Sequence, residues 1–192
     1  MKDSVAAVIL AAGHGRRVGI GKHKLQLGVR TFLQEAVETS VRGGFSPVIC
    51  VVAPDEHAGV ASLFDNTVSV VVNPDADRGM LSSVIEGIRH AGDCRAALVF
   101  PVDHPFVRPE TLLDLLRRSA DRPGHFIKPV YHGRGGHPVV IPASAFDVIL
   151  KASPSLTLRG VIAESGIPVE RVEVNDKGVL RNINTFEDLH EE

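Results

Sequence analysis

The sequence predicts one α/β domain in three layers, a mostly parallel sheet with helices on both faces. Two observations carry this prediction. The short apolar runs are hydrophobic throughout rather than alternating, as strands covered on both faces must be. Between them lie stretches with apolar residues at helical spacing, so strands and helices take turns along the chain. Length and composition agree: 192 residues, 44% hydrophobic and 23% charged, suffice for one domain with a sizeable core.

Val5–Leu10 reads as the first buried strand. A helix is predicted over 31–42 through Leu33, Val37 and Val41, with Gly43 and Gly44 as its stop. Residues 47–52 form a second strand, 57–64 a short helix and Val68–Val72 a third strand. Val84, Ile85 and Ile88 predict a helix over 80–91, followed by a fourth strand over 96–99. A helix over 109–119 has Pro109 in its first turn and buries Leu112, Leu113, Leu115 and Leu116. After residue 120 the rhythm changes. Two strands, 125–130 and 138–141, are joined by the glycine-rich turn 131–136. Helices over 144–151 and 156–165, a late strand over 169–174 and a last helical turn over 186–190 complete the chain. No repeat or linker divides it.

A net charge of -2 offers no global attraction to nucleic acid or to an acidic membrane. Cys50 and Cys94 are far apart, each in or beside an apolar run, and read as buried unpaired thiols. No apolar run approaches the ~20 residues that cross a bilayer. The first residues lack the pattern of a secretory signal. These features predict a cytoplasmic protein with no nucleic-acid or membrane partner.

Ligands of open parallel sheets sit beyond the carboxyl ends of the strands. The loop after the first strand, residues 11–22, holds small residues and four nearby cations, Arg16, Arg17, Lys22 and Lys24. Small residues let the backbone approach a ligand and turn successive N–H groups toward an anion. Guanidinium and ammonium groups are good phosphate partners, so a triphosphate fits. Two familiar phosphate loops do not. A dinucleotide fingerprint needs glycine where Val18 stands; a P-loop needs glycine at Arg16 and a hydroxyl at His23. After the third strand, Ser82 and Ser83 open a helix and can cap it or donate to a ligand. After the fourth, Asp103 offers the hard oxygen that magnesium prefers. The turn with Arg134, Gly136 and His137 suits a second anionic substrate. The histidines show no zinc-site spacing.

These loops carry a specific resemblance. Leu10-Ala11-Ala12-Gly13-x-Gly15-x-Arg17-x-Gly19-x-x-Lys22 resembles the N-terminal signature of the MobA-like nucleotidyltransferases, with Val18 where methionine is usual. Gly79, Met80, Ser82 and Ser83 match a second motif of that family, and Pro101-Val102-Asp103 a third. Asn182-Ile183-Asn184-Thr185-Phe186-Glu187-Asp188-Leu189 resembles its last, with Phe186 in place of proline. The resemblance runs from Val5 to Leu189. It implies a Rossmann-like α/β/α fold of the nucleotide-diphospho-sugar transferase type.

By this resemblance Leu10, Ala11, Ala12, Gly13 and Gly15 wrap a nucleotide, and Gly79, Met80, Ser82 and Ser83 contact its base and sugar. Arg17 and Lys22 bind the phosphates, with Lys24 a competitor for the lysine's role. Asp103 holds Mg²⁺, and Asn184, or Asn182, supplies a second oxygen. Arg17, Lys22 and Asp103 are the implied catalytic set. Gly133-x-x-Gly136-His137-Pro138 resembles the branch that cytidylylates molybdopterin cofactor, and Ala12 stands where the guanylyl-transferring branch tends to have glycine. Arg134, Gly136, His137 and Pro138 then contact the acceptor. Residues 1–120 would form the nucleotide-binding half and 121–192 the acceptor-binding half of one domain. The implied reaction is Mg²⁺-dependent transfer of CMP from CTP to the molybdopterin phosphate, releasing pyrophosphate, with handover to a molybdenum hydroxylase. Two alternatives stay open: another cytidylyl or sugar-phosphate nucleotidyltransferase, and a non-catalytic nucleotide- or cofactor-binding protein.

Overall fold

The structure is a computed structural model that describes residues 3–13, 21–184 and 188. In chain order its elements are β1 (Val5–Leu10), β2 (Gln26–Leu27), β3 (Arg30–Thr31), α1 (Phe32–Arg42), β4 (Val48–Val52), α2 (His57–Ala61), β5 (Val68–Val72), α3 (Met80–His90), β6 (Ala96–Pro101) and α4 (Pro109–Asp121). The second half adds β7 (Phe126–Tyr131), β8 (Arg134–Gly135), β9 (Val139–Pro142), α5 (Phe146–Lys151), α6 (Leu158–Glu164) and β10 (Val169–Glu173).

The main sheet runs β10-β7-β9-β6-β1-β4-β5, with β8 paired to β7. Pairs β1–β4, β1–β6, β4–β5 and β7–β10 are parallel; β9 is antiparallel to both β6 and β7. This is the three-layer, mostly parallel fold of the nucleotide-diphospho-sugar transferase type. The alternation inside β1 explains its continuous hydrophobicity. Val5, Ala7 and Ile9 enter one core with Leu33 and Phe32 of α1 and Leu112 and Leu115 of α4. Ala6, Val8 and Leu10 enter the other with Leu81, Val84, Ile85 and Ile88 of α3 and Ile149 and Leu158 of α5 and α6.

Local chemistry sets the helix ends. Thr31 is the cap of α1 rather than its first residue: its Oγ1 accepts from Gln34 N (3.2 Å), and Gln34 Oε1 accepts from Thr31 N (2.9 Å). Thr157 caps α6 in the same way, accepting from Gly160 N at 3.1 Å, so that helix begins at Leu158 and not at 156. The segment predicted as helix from 144 opens with a 3-10 turn, Ala143–Ala145, before α5. The small β2–β3 hairpin, β8 and the reversed direction of β9 were not foreseen. The last helical turn, predicted over 186–190, lies outside the described residues except for Asp188. Cys50 and Cys94 are buried and free, and burial pushes the Cys50 thiol up to about 12.

Gly87 sets how closely α3 lies on β1. A Cβ there would fall 2.0 Å from Val8 Cγ1. Gly59 in α2 has open space around it. Gly87→Ala should therefore destabilise the fold by about 1–3 kcal/mol through overpacking, while Gly59→Ala should stabilise it by roughly 0.5–1 kcal/mol. Urea unfolding of the two variants checks both signs.

Candidate functional site

The order β4-β1-β6 places β1 where the strand order reverses, and crevices at such points hold ligands. A cleft of about 290 Å³ opens there. It is built from the loop after β1, the loop before α3 and the loop after β6. Leu10, Ala12 and Gly13 line it with Lys22, Gly79, Met80, Ser83 and Asp103. The predicted nucleotide-binding residues from three separate segments thus share one wall. Ala11 and Ser82 stand apart from it. Ala11 is in the core and its N–H donates to Val51 O at 2.8 Å. Ser82 Oγ turns back and donates to Gly79 O at 2.7 Å. Gly15 and Arg17 lie outside the described residues.

Lys22 occupies the centre of the polar wall. Its ammonium donates to Asp103 Oδ2 and to Asn184 Oδ1, both at 2.8 Å. The two side chains predicted as metal ligands therefore converge on one positive charge. Asn182 is exposed and belongs to a different depression, so Asn184 is the amide brought to Asp103. The tail is held there by two bonds: Ile183 N donates to Asp103 O at 2.8 Å, and Asn184 N to Asp188 Oδ2 at 2.6 Å. Lys24, the competing lysine, is paired with Glu56 at 2.7 Å.

Asp103 Oδ1 is buried and makes no hydrogen bond among the described residues. An orphaned carboxylate oxygen beside a convergent amide oxygen is a donor set that fits a hard divalent cation. Among the described residues no group of three or more His, Cys, Asp and Glu side chains could hold a metal. A cation held by Asp103 and Asn184 would have two protein ligands among the described residues, leaving room for oxygen ligands from a substrate.

Two histidines, one from the loop after β6 and one from the turn before β9, pack together next to Asp103. The rings of His104 and His137 lie 5.1 Å apart at 46°, and the Nδ1 of each is buried without a hydrogen-bond partner among the described residues. Burial holds His104 below the usual imidazole range, against the pull of Asp103. Burial, then His104 and Lys128, bring His137 down to about 4. Gly136 packs on the Val179 carbonyl, and His137 N donates to Val179 O at 2.9 Å. Pro138 is buried beside them. Arg134 points elsewhere, lining a depression with Lys177 and Arg181.

Two positioning residues escaped the sequence reading. Buried Asn73 donates from Nδ2 to both Ser82 Oγ (2.8 Å) and Ser83 Oγ (2.9 Å), and its Oδ1 accepts from Asp75 N. Buried Asp176 accepts from Arg108 N (2.9 Å), Thr111 Oγ1 (2.7 Å) and Gly178 N (2.9 Å). It supplies the cap that Arg108, at the start of α4, lacks, and ties that helix to the turn carrying Val179. An asparagine ending a strand nine residues before a serine pair was the available signal for Asn73. Nothing local marked Asp176.

A family model described as a MobA-like NTP transferase domain matches residues 7–170. The chain belongs to the MobA-like NTP transferase family. It is 30% identical over 195 residues to the nicotine blue oxidoreductase of Paenarthrobacter nicotinovorans, covering 97% of this chain and 95% of that one. It is 28% identical over 194 residues to a probable molybdenum cofactor guanylyltransferase of Mycobacterium ulcerans, covering 97% and 92%. The crystal structure of Rv0371c from Mycobacterium tuberculosis superposes with a TM-score of 0.86 at 22% identity, over 98% of this chain and 96% of that one. The same protein has been solved in complex with manganese (TM-score 0.82, 21% identity, 98% and 96% covered). The chain is thus a nucleotidyltransferase-family protein related to molybdenum cofactor guanylyltransferases. Among the described residues no helix is long and apolar enough to cross a membrane.

The metal-free protein should lose stability as acid is added. His137 is neutral in the fold down to about 4, whereas the unfolded chain protonates it near its ordinary 6.5. The unfolded state then binds the extra proton, so stability is full above the unfolded value and falls between the two. The loss is up to about 3 kcal/mol from this residue. Urea unfolding at pH 7.5 and pH 4.5 measures it, and His137→Gln should shrink the difference. Independently, Asp176→Ala should cost about 1.5–3 kcal/mol through its lost charged hydrogen bonds, read as a lower urea midpoint.

Proposed function

We propose that the chain transfers CMP from CTP to the terminal phosphate of molybdopterin cofactor, releasing pyrophosphate. The observation that carries this reading is the convergence of Lys22, Asp103 and Asn184 at the edge of the cleft lined by Ala12, Gly13 and Ser83. It assigns residues 1–120 to the nucleotide and 121–192 to the acceptor, a division drawn from the sequence.

The nucleophile is already a phosphate anion, so no general base is needed. Catalysis then rests on positioning and charge neutralisation. Gly13 and its neighbours after β1 present backbone to the triphosphate. Lys22, within reach of the same cleft, neutralises the phosphates together with Arg17. Gly79, Met80 and Ser83 face the sugar and base, with Ser83 oriented by Asn73. Asp103 and Asn184 would hold Mg²⁺, which when bound draws charge from the phosphate oxygens and the leaving pyrophosphate. His137, held neutral by burial, presents the acceptor with a hydrogen-bonding ring that adds no charge; Gly136 and Pro138 fix its place. Arg134, which lines a separate depression, is left out of this acceptor wall. Support for CTP is the side chain of Ala12 in the cleft. The guanylyltransferase names of relatives make GTP the competitor to test. Handover of the product to a molybdenum hydroxylase belongs to the same reading.

One relative favours a second reading. The nicotine blue oxidoreductase is similar over nearly the full length, so oxidoreduction of a related small molecule is the competing reading. A change in the absorbance of nicotine blue with an added reductant, and no pyrophosphate release from any NTP, selects it.

Pyrophosphate release with Mg²⁺, molybdopterin cofactor and either CTP or GTP tests the first reading. Release is expected with CTP and little with GTP; the reverse order would overturn the base assignment. Asp103→Ala should lower turnover by about 10³-fold or more with the fold intact by circular dichroism. Near-normal turnover in that variant would remove Asp103 from the mechanism.

A further inference from the structure

A second cavity, about 730 Å³, lies over the β7–β10 edge of the sheet under α6, and Met80 borders both it and the nucleotide cleft. One side is apolar, formed by Phe126, Val139, Leu158 and Ile162. The other carries Lys128, Arg159 and Arg171. Lys128 and Arg171 are direct partners in the β7–β10 register. Like charges placed opposite each other on one face destabilise a sheet.

Among the described residues none of the three cations makes an ion pair. The acids of β10 are engaged elsewhere: Glu170 pairs with Arg118 at 3.5 Å, and Glu173 accepts from His132 N at 2.9 Å. Arg171 makes one hydrogen bond, to Gly133 O at 3.0 Å. The Lys128 stem runs over Gly135, where a Cβ would fall 2.5 Å from Lys128 Cε. The half-buried ammonium is held below the usual lysine range by burial, then by Arg159 and Arg171. Three unneutralised cations facing an apolar wall are a site in want of an anion.

We propose that this cavity binds the body of the acceptor, as a ring system against Phe126, Val139, Leu158 and Ile162, with a second anionic group held by Lys128, Arg159 and Arg171. The inference rests on the nucleotidyl-transfer reading for the word acceptor, and on the cavity alone for its chemistry. It implies an acceptor with two negatively charged ends. One is the reacting phosphate beside Asp103. The other lies beyond Met80. Neither Lys128, Arg159 nor Arg171 belongs to a loop motif that pointed to the nucleotide.

Phenyl phosphate carries one ring and one anion and serves as the probe. Titrated into the full-length protein without nucleotide, it should shift backbone amide resonances of β7, β10 and α6. Phenol should shift them less at equal concentration. Arg171→Gln and Arg159→Gln change exposed side chains and should fold; each should raise the dissociation constant about fivefold, the effect of one charge at a partly exposed site. Lys128→Gln should raise it further. Shifts confined to other elements, or a constant unchanged in all three variants, would overturn the proposal. Failure of the transfer reading looks different: no pyrophosphate is released from any NTP, while phenyl phosphate still binds at this cavity.

Discussion

The site is organised around one ammonium group. Lys22 sits between Asp103 and Asn184, partners 81 and 162 residues away in sequence. Lys22 and Asp103 are only 20% and 19% exposed, so this contact is screened less than a surface pair. Its geometry requires that β1 and β6 be neighbours in register, Leu10 opposite Pro101, so that the loops leaving them meet. It also requires that the tail return across the sheet, which the bond from Ile183 N to Asp103 O secures. Strand order, loop placement and tail path all answer to this one convergence of charges.

The first half of the fold was legible because its strands obey a simple constraint. A strand with Val5, Ala7 and Ile9 in one core and Ala6, Val8 and Leu10 in the other cannot be anything but apolar throughout. Burial on both faces writes itself into the sequence, and the turn residues between runs mark the ends. The cleft was legible for a related reason. Ala12, Gly13, Gly79, Met80, Ser83 and Asp103 all follow strands or open a helix, where open sheets keep their ligands. Asp176 was not legible, because its work is done by contacts over distance. Asp176 reaches Thr111 across 65 residues, and no spacing rule connects a lone aspartate to a helix cap that far away.

The direction of β9 was the other hidden feature, and it matters for the site. A strand wedged antiparallel between β6 and β7 must be entered from the end opposite to its neighbours. The turn that enters it therefore lies at the carboxyl end of β6, beside Asp103. That brings His137 to within 5.1 Å of His104. Both rings are desolvated there, and desolvation favours neutral imidazole. The turn carrying His137 thus adds hydrogen-bonding capacity beside His104 without adding charge. Among the described residues, the charged groups that line the cleft are those of Lys22 and Asp103.

Family membership constrains the two ends of this cleft unequally. The nucleotide side consists largely of backbone and short side chains, so any nucleoside triphosphate of the right length meets nearly the same surface. Discrimination there must fall on a few positions such as Ala12, where an added or missing methyl group is worth only about 1–3 kcal/mol. The far cavity is different, because long cationic side chains project into it from β7, β10 and α6. Replacing one of them changes a charge, not a methyl group. Relatives with names as unlike as an oxidoreductase and a guanylyltransferase align over almost the whole of this chain. A shared frame hosts different chemistry by changing the groups that face the ligand. On the roles proposed for this chain, those groups are Ala12 on one side of Met80 and the Lys128–Arg159–Arg171 cluster on the other. Acceptor identity should therefore be read from the cluster, and nucleotide identity from the loop.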